Sequence, residues 1–368
     1  MNSYKTAYFV PSNYRISAKD YLLIQFNWLH TQSGVNLKHN ESVTKKSIPD
    51  MAQQSSFNAP LKSKVQTHDI DEQAHSLTQW QQKYDQMSDG SFYGCIEETD
   101  YANIHVFKEY TERALRQQCN IAPNSVWLGI PCQSQQSKIN GLSVASNQYM
   151  CRTSDNDFEL ITSEQFNIYG LVIDWNSIEY MAQLQGVTLK NLASAQSARL
   201  SVSNSSLQTA RQIINSMVIG KGFGLRTESQ QDMLNMLALH LLQADNPQQN
   251  IAPSYKHRKA VVDKVKDYVA TNPQNTITIT ELCELSFVSR RTLQYSFESI
   301  LGINPLRFLR LTRLNNVRRE LKKPNQDKPI SVIAANWGFW HAGQFAKDYT
   351  QLFGENPSQT VKNNSFKG

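Results

Sequence analysis

Two clusters of side chains in the last third of this 368-residue chain have the types and spacing to read the edges of base pairs. The first is Ser289, Arg290, Arg291, Gln294 and Tyr295, followed by Glu298; the second is His341, Ala342, Gly343, Gln344 and Lys347, followed by Asp348. Arginine can donate a bidentate pair to guanine, glutamine can pair with adenine, and an aromatic edge can touch a thymine methyl. That work needs the polar side chains on one exposed helix face and an anchored face opposite. Leu293, Phe297 and Ile300 or Leu301 recur at helical intervals, so the spacing predicts a helix from Arg290 to Leu301 with the polar set outward. Phe345, Tyr349 and Leu352 do the same from about His341 to Leu352. Ala342 and Gly343 allow close backbone approach but carry little hydrogen-bonding information. The first reader is therefore expected to carry more specificity than the second.

Each predicted reader is the second half of a helix-turn-helix pattern, the first from Ile279 to Arg310 and the second from Ile330 to Gln359. In the first, Leu282, Cys283 and Leu285 anchor a short helix, Phe287 and Val288 form the turn, and Ser289 is placed as an N-cap. In the second, Ile330, Val332, Ile333 and Ala334 begin the short helix, Gly338 makes the turn and Phe339 plugs the core. Gly302 is expected to stop the first reader and Pro305 to start the connecting helix PLRFLRLTRLNNVRRELKK. Leu306, Leu309, Leu314, Val317 and Leu321 are expected to form its core stripe. Arg307, Arg310, Arg313, Arg318 and Arg319 make it cationic, and some of these, Arg307 and Arg310 first, are expected to contact phosphate. A scaffold helix from Arg258 to Ala270 precedes the pair, with Val261, Val265 and Tyr268 or Val269 on one face. Two such units held apart by a third helix can place two recognition helices in successive major-groove segments on one DNA face.

Residues 255 to 365 resemble the DNA-binding domain of the AraC/XylS family of bacterial transcription regulators. VSRRTLQYSFESILGINPLRFLR and AANWGFWHAGQFAKDYTQLFGENPSQ carry the resemblance, the latter similar to the family's G-F-x-x-x-x-x-F-x-x-x-(F/Y)-x-x-x-x-G-x-x-P signature. Within the family this wording most resembles the ethanolamine-utilisation regulator branch. The resemblance implies base contacts at Arg291, Gln294 and Tyr295 in the first unit, and at Ala342, Gly343, Gln344 and Lys347 in the second. Tyr295 stands where many relatives have arginine, so no bidentate guanine contact is expected there. The resemblance also implies an effector-binding, dimerising domain ahead of the module. The partners it implies are double-stranded DNA, RNA polymerase, a second copy of the chain and a small-molecule effector, ethanolamine-like by the branch, with activation of transcription as the output.

Charge distribution supports a division of labour. Net charge is +6, but residues 251–368 hold 18 Lys and Arg against 9 Asp and Glu, while the residues before them hold 19 against 22. A basic excess confined to one end is the footprint expected when one domain meets phosphates and the other does not. The length suggests two domains or three. Hydrophobic residues at 40 % and aromatics at 10 % suffice for packed cores. Mean hydropathy is −0.50 and no apolar run reaches spanning length, so no membrane partner is expected. The first residues show no signal-peptide pattern, which places the chain in the cytoplasm by expectation.

The front of the chain reads as an N-terminal segment (1–66), partly loop or mobile, with YLLIQFNWLH in it and a polar stretch from Thr31 to Lys64. Residues 67–245 read as an effector-binding and dimerisation domain, a β region followed by helices. Its runs SFYGCIEE, NIHVFKEYT, SVWLGIPC, NQYMCR, DFELIT and FNIYGLVIDW predict an antiparallel sheet or small barrel able to enclose a ligand, with turns at Asp89-Gly90 and Asn140-Gly141. Helices are expected from Ser205 to Val218 and Thr227 to Gln243, the latter with an apolar stripe that must be covered. A linker (246–257) leads to the DNA-binding domain (258–365). The fold class is thus α+β multidomain, mostly β and barrel-like in front, all-α behind.

Other signals are weak. GKGFG (220–224) lacks the Gly-Lys-Ser/Thr ending of a phosphate loop and reads as a loop between helices. The histidines lack metal-ligand spacing, the five cysteines are scattered and expected to be reduced, and no catalytic set assembles. No cofactor, metal or enzymatic role is expected. The rivals to an effector-sensing regulator are a DNA-tethered enzyme and a ligand-independent regulator controlled by oligomerisation.

Overall fold

The computed structural model describes residues 59–365 apart from 156, 188, 190–197, 221, 244–252, 273–276 and 325–326. YLLIQFNWLH and most of the expected linker lie outside the described residues.

Among the described residues, twelve short strands form two antiparallel sheets. The larger sheet orders β1 (Leu61–Thr67), β3 (Gly94–Asp100), β4 (Ile104–Thr111), β11 (Phe166–Asp174), β6 (Ser125–Pro131), β9 (Gln148–Thr153) and β12 (Arg199–Ser201). The smaller orders β2 (Gln81–Gln86), β5 (Leu115–Asn120), β10 (Phe158–Thr162), β7 (Ser137–Ile139) and β8 (Leu142–Ser143). The two sheets face each other and do not close into a barrel. β1 begins at Leu61, so the polar segment expected to run as loop through Lys64 ends sooner: Val65 pairs with Ile96 and extends the sheet edge.

Alternation along the strands sorts side chains between layers. From the larger sheet, Phe107, Trp127 and Ile168 point toward Phe158, Leu160 and Ile139 of the smaller one. Trp127 stacks on Phe158 with centroids 4.9 Å apart, and Trp80 closes edge-on over Trp127 and Phe107. The space expected for a ligand inside the β region is thus filled by rings. Val106, Leu128 and Leu171 point the other way, against α2 (Trp175–Leu184), α3 (Asn204–Val218) and α4 (Thr227–Leu242). Leu234, Leu237, Ala238 and Leu241 of α4 are buried there, so the stripe is covered within the chain. Between α3 and α4, Gly222–Gly224 is a single 3-10 turn, and the glycine-rich run is a connection.

A short helix, α1 (Ile70–Ser76), caps the edge of the β layers. Behind them come α5 (Pro253–Thr271), α6 (Ile279–Ser286), α7 (Arg290–Leu301), α8 (Pro305–Leu321), α9 (Ile330–Asn336), α10 (Ala342–Phe353) and α11 (Pro357–Ser365). The scaffold helix α5 starts at Pro253, five residues before the expected Arg258, because proline is suited to a first helical turn. Two cores result. Val262, Leu293 and Phe297 join α5, α6 and α7; Val317, Phe345 and Tyr349 join α8, α9 and α10.

The outer face of the smaller sheet packs on these helices. Asp85 on β2 lies opposite Arg116 on β5, Glu159 on β10 lies diagonally from Arg116 on the same face, and all three are buried. Arg116 binds Glu159 at 2.7 Å and Asp85 at 3.1 Å, with its guanidinium over the Phe308 ring. Lys266 of α5 adds a 2.9 Å contact to Glu159, and Arg319 of α8 a 2.8 Å contact to Asp85.

Candidate nucleic-acid interface

Helix α7 is built by local rules. Thr278 and Glu281 form a reciprocal capping box at the start of α6, and Phe287 in left-handed conformation ends that helix. Ser289 then accepts from the Thr292 N–H at 3.2 Å as the N-cap of α7, and Gly302 at φ 76° closes it. Leu293, Phe297, Ile300 and Leu301 are buried, while Ser289, Arg290, Arg291, Gln294, Tyr295 and Glu298 are exposed. The predicted outward set is therefore one surface. Gln294 donates to Glu298 at 3.0 Å, an internal bond that a base would have to replace.

Tyr295 is 58 % exposed, and its ring lies under the Arg258 guanidinium of α5, 5.3 Å from the centroid. Sequence reasoning missed Arg258. Nothing in local spacing links a residue on the scaffold helix to a ring on the reader; only their packing does. The same holds for Lys264, which covers Phe287 at the turn.

Helix α10 repeats the design with poorer equipment. His341 is the N-cap without a side-chain capping bond, and Ala342, Gly343, Gln344 and Lys347 are exposed beside it. Gln344 donates to Asp348 at 2.6 Å, and Asp348 also pairs with Arg310. Trp340, just ahead of the cap, is 71 % exposed, a large apolar surface at the rim of the second reader that periodicity did not flag. Gly343 meets no heavy atom near its absent Cβ, so close approach there is open.

The connecting helix corrects the expectation for its arginines. Arg318 is buried, bound to Asp69 at 2.7 Å and Glu355 at 3.2 Å, and Arg319 reaches Asp71 at 2.9 Å, Asp85 and the Tyr84 carbonyl. Lys322 adds a contact to Asp69 at 2.6 Å. Burial by itself would raise the Asp69 carboxyl, but Arg318 and Lys322 outweigh it and hold it well below the usual carboxylate range. Arg318 and Arg319 are therefore structural bolts to the β layers, not phosphate contacts. Arg307 and Arg310 remain exposed, yet Arg307 donates to the Met87 carbonyl at 3.3 Å and both line a cleft shared with Asp89 and Asp348. The stripe also differs: Leu306 is 65 % exposed, and Phe308 and Leu311 are buried instead. Part of the C-terminal basic excess is thus taken up by the chain's own acidic β layer.

Among the described residues no group of three His, Cys, Asp or Glu could hold a metal, and no helix is long and apolar enough to cross a membrane. Cys95, Cys119, Cys132, Cys151 and Cys283 are free thiols; burial pushes the Cys119, Cys132 and Cys151 thiols above their ordinary value.

The helical end of the chain is similar to known proteins. Residues 282–363 match a family described as helix-turn-helix domain. The chain is 32% identical over 108 residues to a probable thc operon regulatory protein of Rhodococcus erythropolis, a match covering 29% of this chain and 32% of that protein. It is 33% identical over 106 residues to XylDLEGF operon transcriptional activator 2 of Pseudomonas putida, covering 28% of this chain and 68% of that one. A solved probable AraC family transcriptional regulator from Rhodopseudomonas palustris is 30% identical, covering 28% of this chain and 97% of that chain with a TM-score of 0.27. The chain thus spans about a third of the length of the first of these curated relatives.

Proposed function

The chain belongs to the AraC/XylS family of DNA-binding transcription regulators, and from that premise we propose that it is an activator reading a two-part DNA site in response to a small molecule. In this reading residues 253–365 are the reading domain, 246–252 the linker, and 61–245 the sensing and dimerisation domain. Arg291, Gln294 and Tyr295 contact bases, Ser289 and Arg290 contact phosphate, and Gln344 and Lys347 contact the second segment with His341, Ala342 and Gly343 at close approach. The observation that carries this is the paired exposure of the N-terminal halves of α7 and α10 over anchored apolar faces. N-terminal halves of recognition helices are the parts that meet base edges.

Sensing finds support in a cleft of about 520 Å³ between the smaller sheet and α5, lined by Gln82, Lys83, Gln118, Asn140, Glu159 and Lys266 among others. A polar ligand bound there would touch both domains. The ethanolamine-like effector implied by the sequence resemblance fits that polarity. Activation, with RNA polymerase and a second copy as partners, rests on likeness to regulators that carry activator in their names.

The test is binding of the full chain to duplexes enriched from a random pool, followed by fluorescence anisotropy as salt rises. Specific affinity about a thousandfold or more above that for random DNA is expected, falling log-linearly with salt; equal affinity for every duplex would contradict the reading. Ethanolamine and other small amines should shift the thermal transition without being consumed. Consumption would favour the DNA-tethered enzyme.

A further inference from the structure

Both recognition helices are held at their C-terminal ends by the β layers, and by similar devices. The last four carbonyls of any helix lack partners within it, and they form the negative end of its dipole. At the end of α7, Lys138 of β7 donates to the Ser299 carbonyl at 2.7 Å. The Asn140-Gly141 turn beside it packs on Ile300 so closely that a Cβ on Gly141 would come within 2.7 Å. At the end of α10, the Gly90 N–H donates to the Gln351 and Leu352 carbonyls at 3.0 and 3.1 Å. The Gln86 amide also reaches the Leu352 carbonyl, and Gln351 donates back to Asp89 at 2.7 Å. Each grip lies at a turn whose glycine has positive φ, 109° at Gly90 and 80° at Gly141; Asn140-Gly141 closes the β7–β8 hairpin, and Asp89-Gly90 follows β2 on the way to β3 of the other sheet.

The two turns belong to one rigid body. β2 and β7 lie in the same five-stranded sheet, three strand spacings apart, about 14 Å. The register Gln86 to Leu115, Leu115 to Thr162 and Thr162 to Ser137 shows that the turns leave that sheet at opposite ends. The sheet's hydrogen-bond ladder therefore fixes the distance and angle between the two helix ends. Meanwhile Arg290, Arg291, Gln294, Gln344 and Lys347 stay exposed, so this grip does not cover the readers.

We propose that the Asp89-Gly90 and Asn140-Gly141 turns are a jig: with Gln86 and Lys138 as positioning residues, they set the spacing between the two DNA segments that the chain accepts. The proposal rests on the assignment of α7 and α10 as readers. In it, specificity has a component that no base-contacting residue supplies, because a rigid pair of readers rejects DNA whose two segments are out of phase.

The experiment uses the full chain and the duplex that it enriches from a random pool, with a second duplex carrying one inserted base pair between the two contacted segments. Such an insertion rotates one segment by about 35° and displaces it by about 3.4 Å. The wild-type chain should lose about tenfold or more in affinity on the insertion. Lys138→Met, and separately Gln86→Leu with Asp89→Ala, should cut that penalty to about threefold or less, with affinity for the enriched duplex changed by no more than a few-fold. Lys138→Arg, which keeps the donor, should restore the penalty. Because either turn alone is sufficient for the test, a variant whose thermal transition shows it unfolded leaves the other to decide. Variants that keep the wild-type penalty overturn the jig, and so do variants that bind both duplexes more tightly by one common factor, which would make the turns a brake. A wild-type chain that enriches no duplex overturns the reader assignment itself.

Discussion

Arg291 and Gln294 stand on one exposed face of α7 with nothing of the β layers over them, and each has the donors for one base edge. Alanine at either is expected to cost about 1–3 kcal/mol at its cognate base pair and to relax preference there. Arg290→Ala should instead weaken all duplexes alike and lower the salt slope by about 1. Titration by anisotropy against single-base variants separates the two classes; equal losses on every sequence for all three would show that the base readers are misassigned. A second residue-scale prediction concerns Glu109. Burial pushes its carboxyl up to about 7, against hydrogen bonds from Gln73 at 2.9 Å and Tyr84 at 3.1 Å. A raised carboxyl contributes stability fully present below its unfolded value and lost as pH rises through the folded one. The wild-type chain should therefore lose roughly 3 kcal/mol between about pH 4.5 and 8. Asp69, Asp85 and Glu159, all lowered, act in the opposite sense and lose stability as pH falls through the acid range. Glu109→Gln should flatten the alkaline limb in urea melts and leave the acid limb in place.

Helix α8 shows what spacing and composition leave hidden. Its apolar residues and five arginines read as a core stripe with a phosphate-facing side, yet Phe308, Leu311, Asn315 and Arg318 are buried with the stripe. From Leu311 to Leu321 no residue is exposed, because two helical units and a sheet cover this part of the helix and leave no solvent face from which periodicity can be read. Asn315 illustrates this: it exchanges hydrogen bonds with the backbone of Gln86, at 2.9 Å to its N–H and 3.1 Å to its carbonyl. By contrast α7 was legible throughout, because its caps, its apolar face and its exposed side all follow from neighbours within four residues. Arg318→Ala tests the corrected role. It leaves Asp69 with Lys322 alone and should cost about 3–5 kcal/mol in urea unfolding. Unchanged stability with weakened DNA binding would return Arg318 to the phosphate.

At the scale of the molecule, the strand-rich front, the two helical units and the turns at Asp89-Gly90 and Asn140-Gly141 were all legible from alternation, helical spacing and turn residues. The closure of the β region was not, since whether strands form one barrel or two facing sheets depends on pairings between Gln82 and Cys119, or Leu160 and Ile139, that no short window contains. Nor was the use of those turns, because a turn glycine looks alike whether it faces water or the end of a reader. The charge asymmetry was real, and it has two destinations: Lys266 and Arg319 face Glu159 and Asp85 of the sheet and Arg318 faces Asp69 ahead of α1, while Arg290, Arg291 and Lys347 face outward. The account's central claim is that α7 and α10 read two segments on one face of the duplex. Hydroxyl-radical footprinting of the full chain on its enriched duplex tests it most directly. Two protected patches about 10 base pairs apart on one face are predicted, one lost in Arg291→Ala with Gln294→Ala and the other in Gln344→Ala with Lys347→Ala; a single patch, insensitive to the second pair, would contradict it.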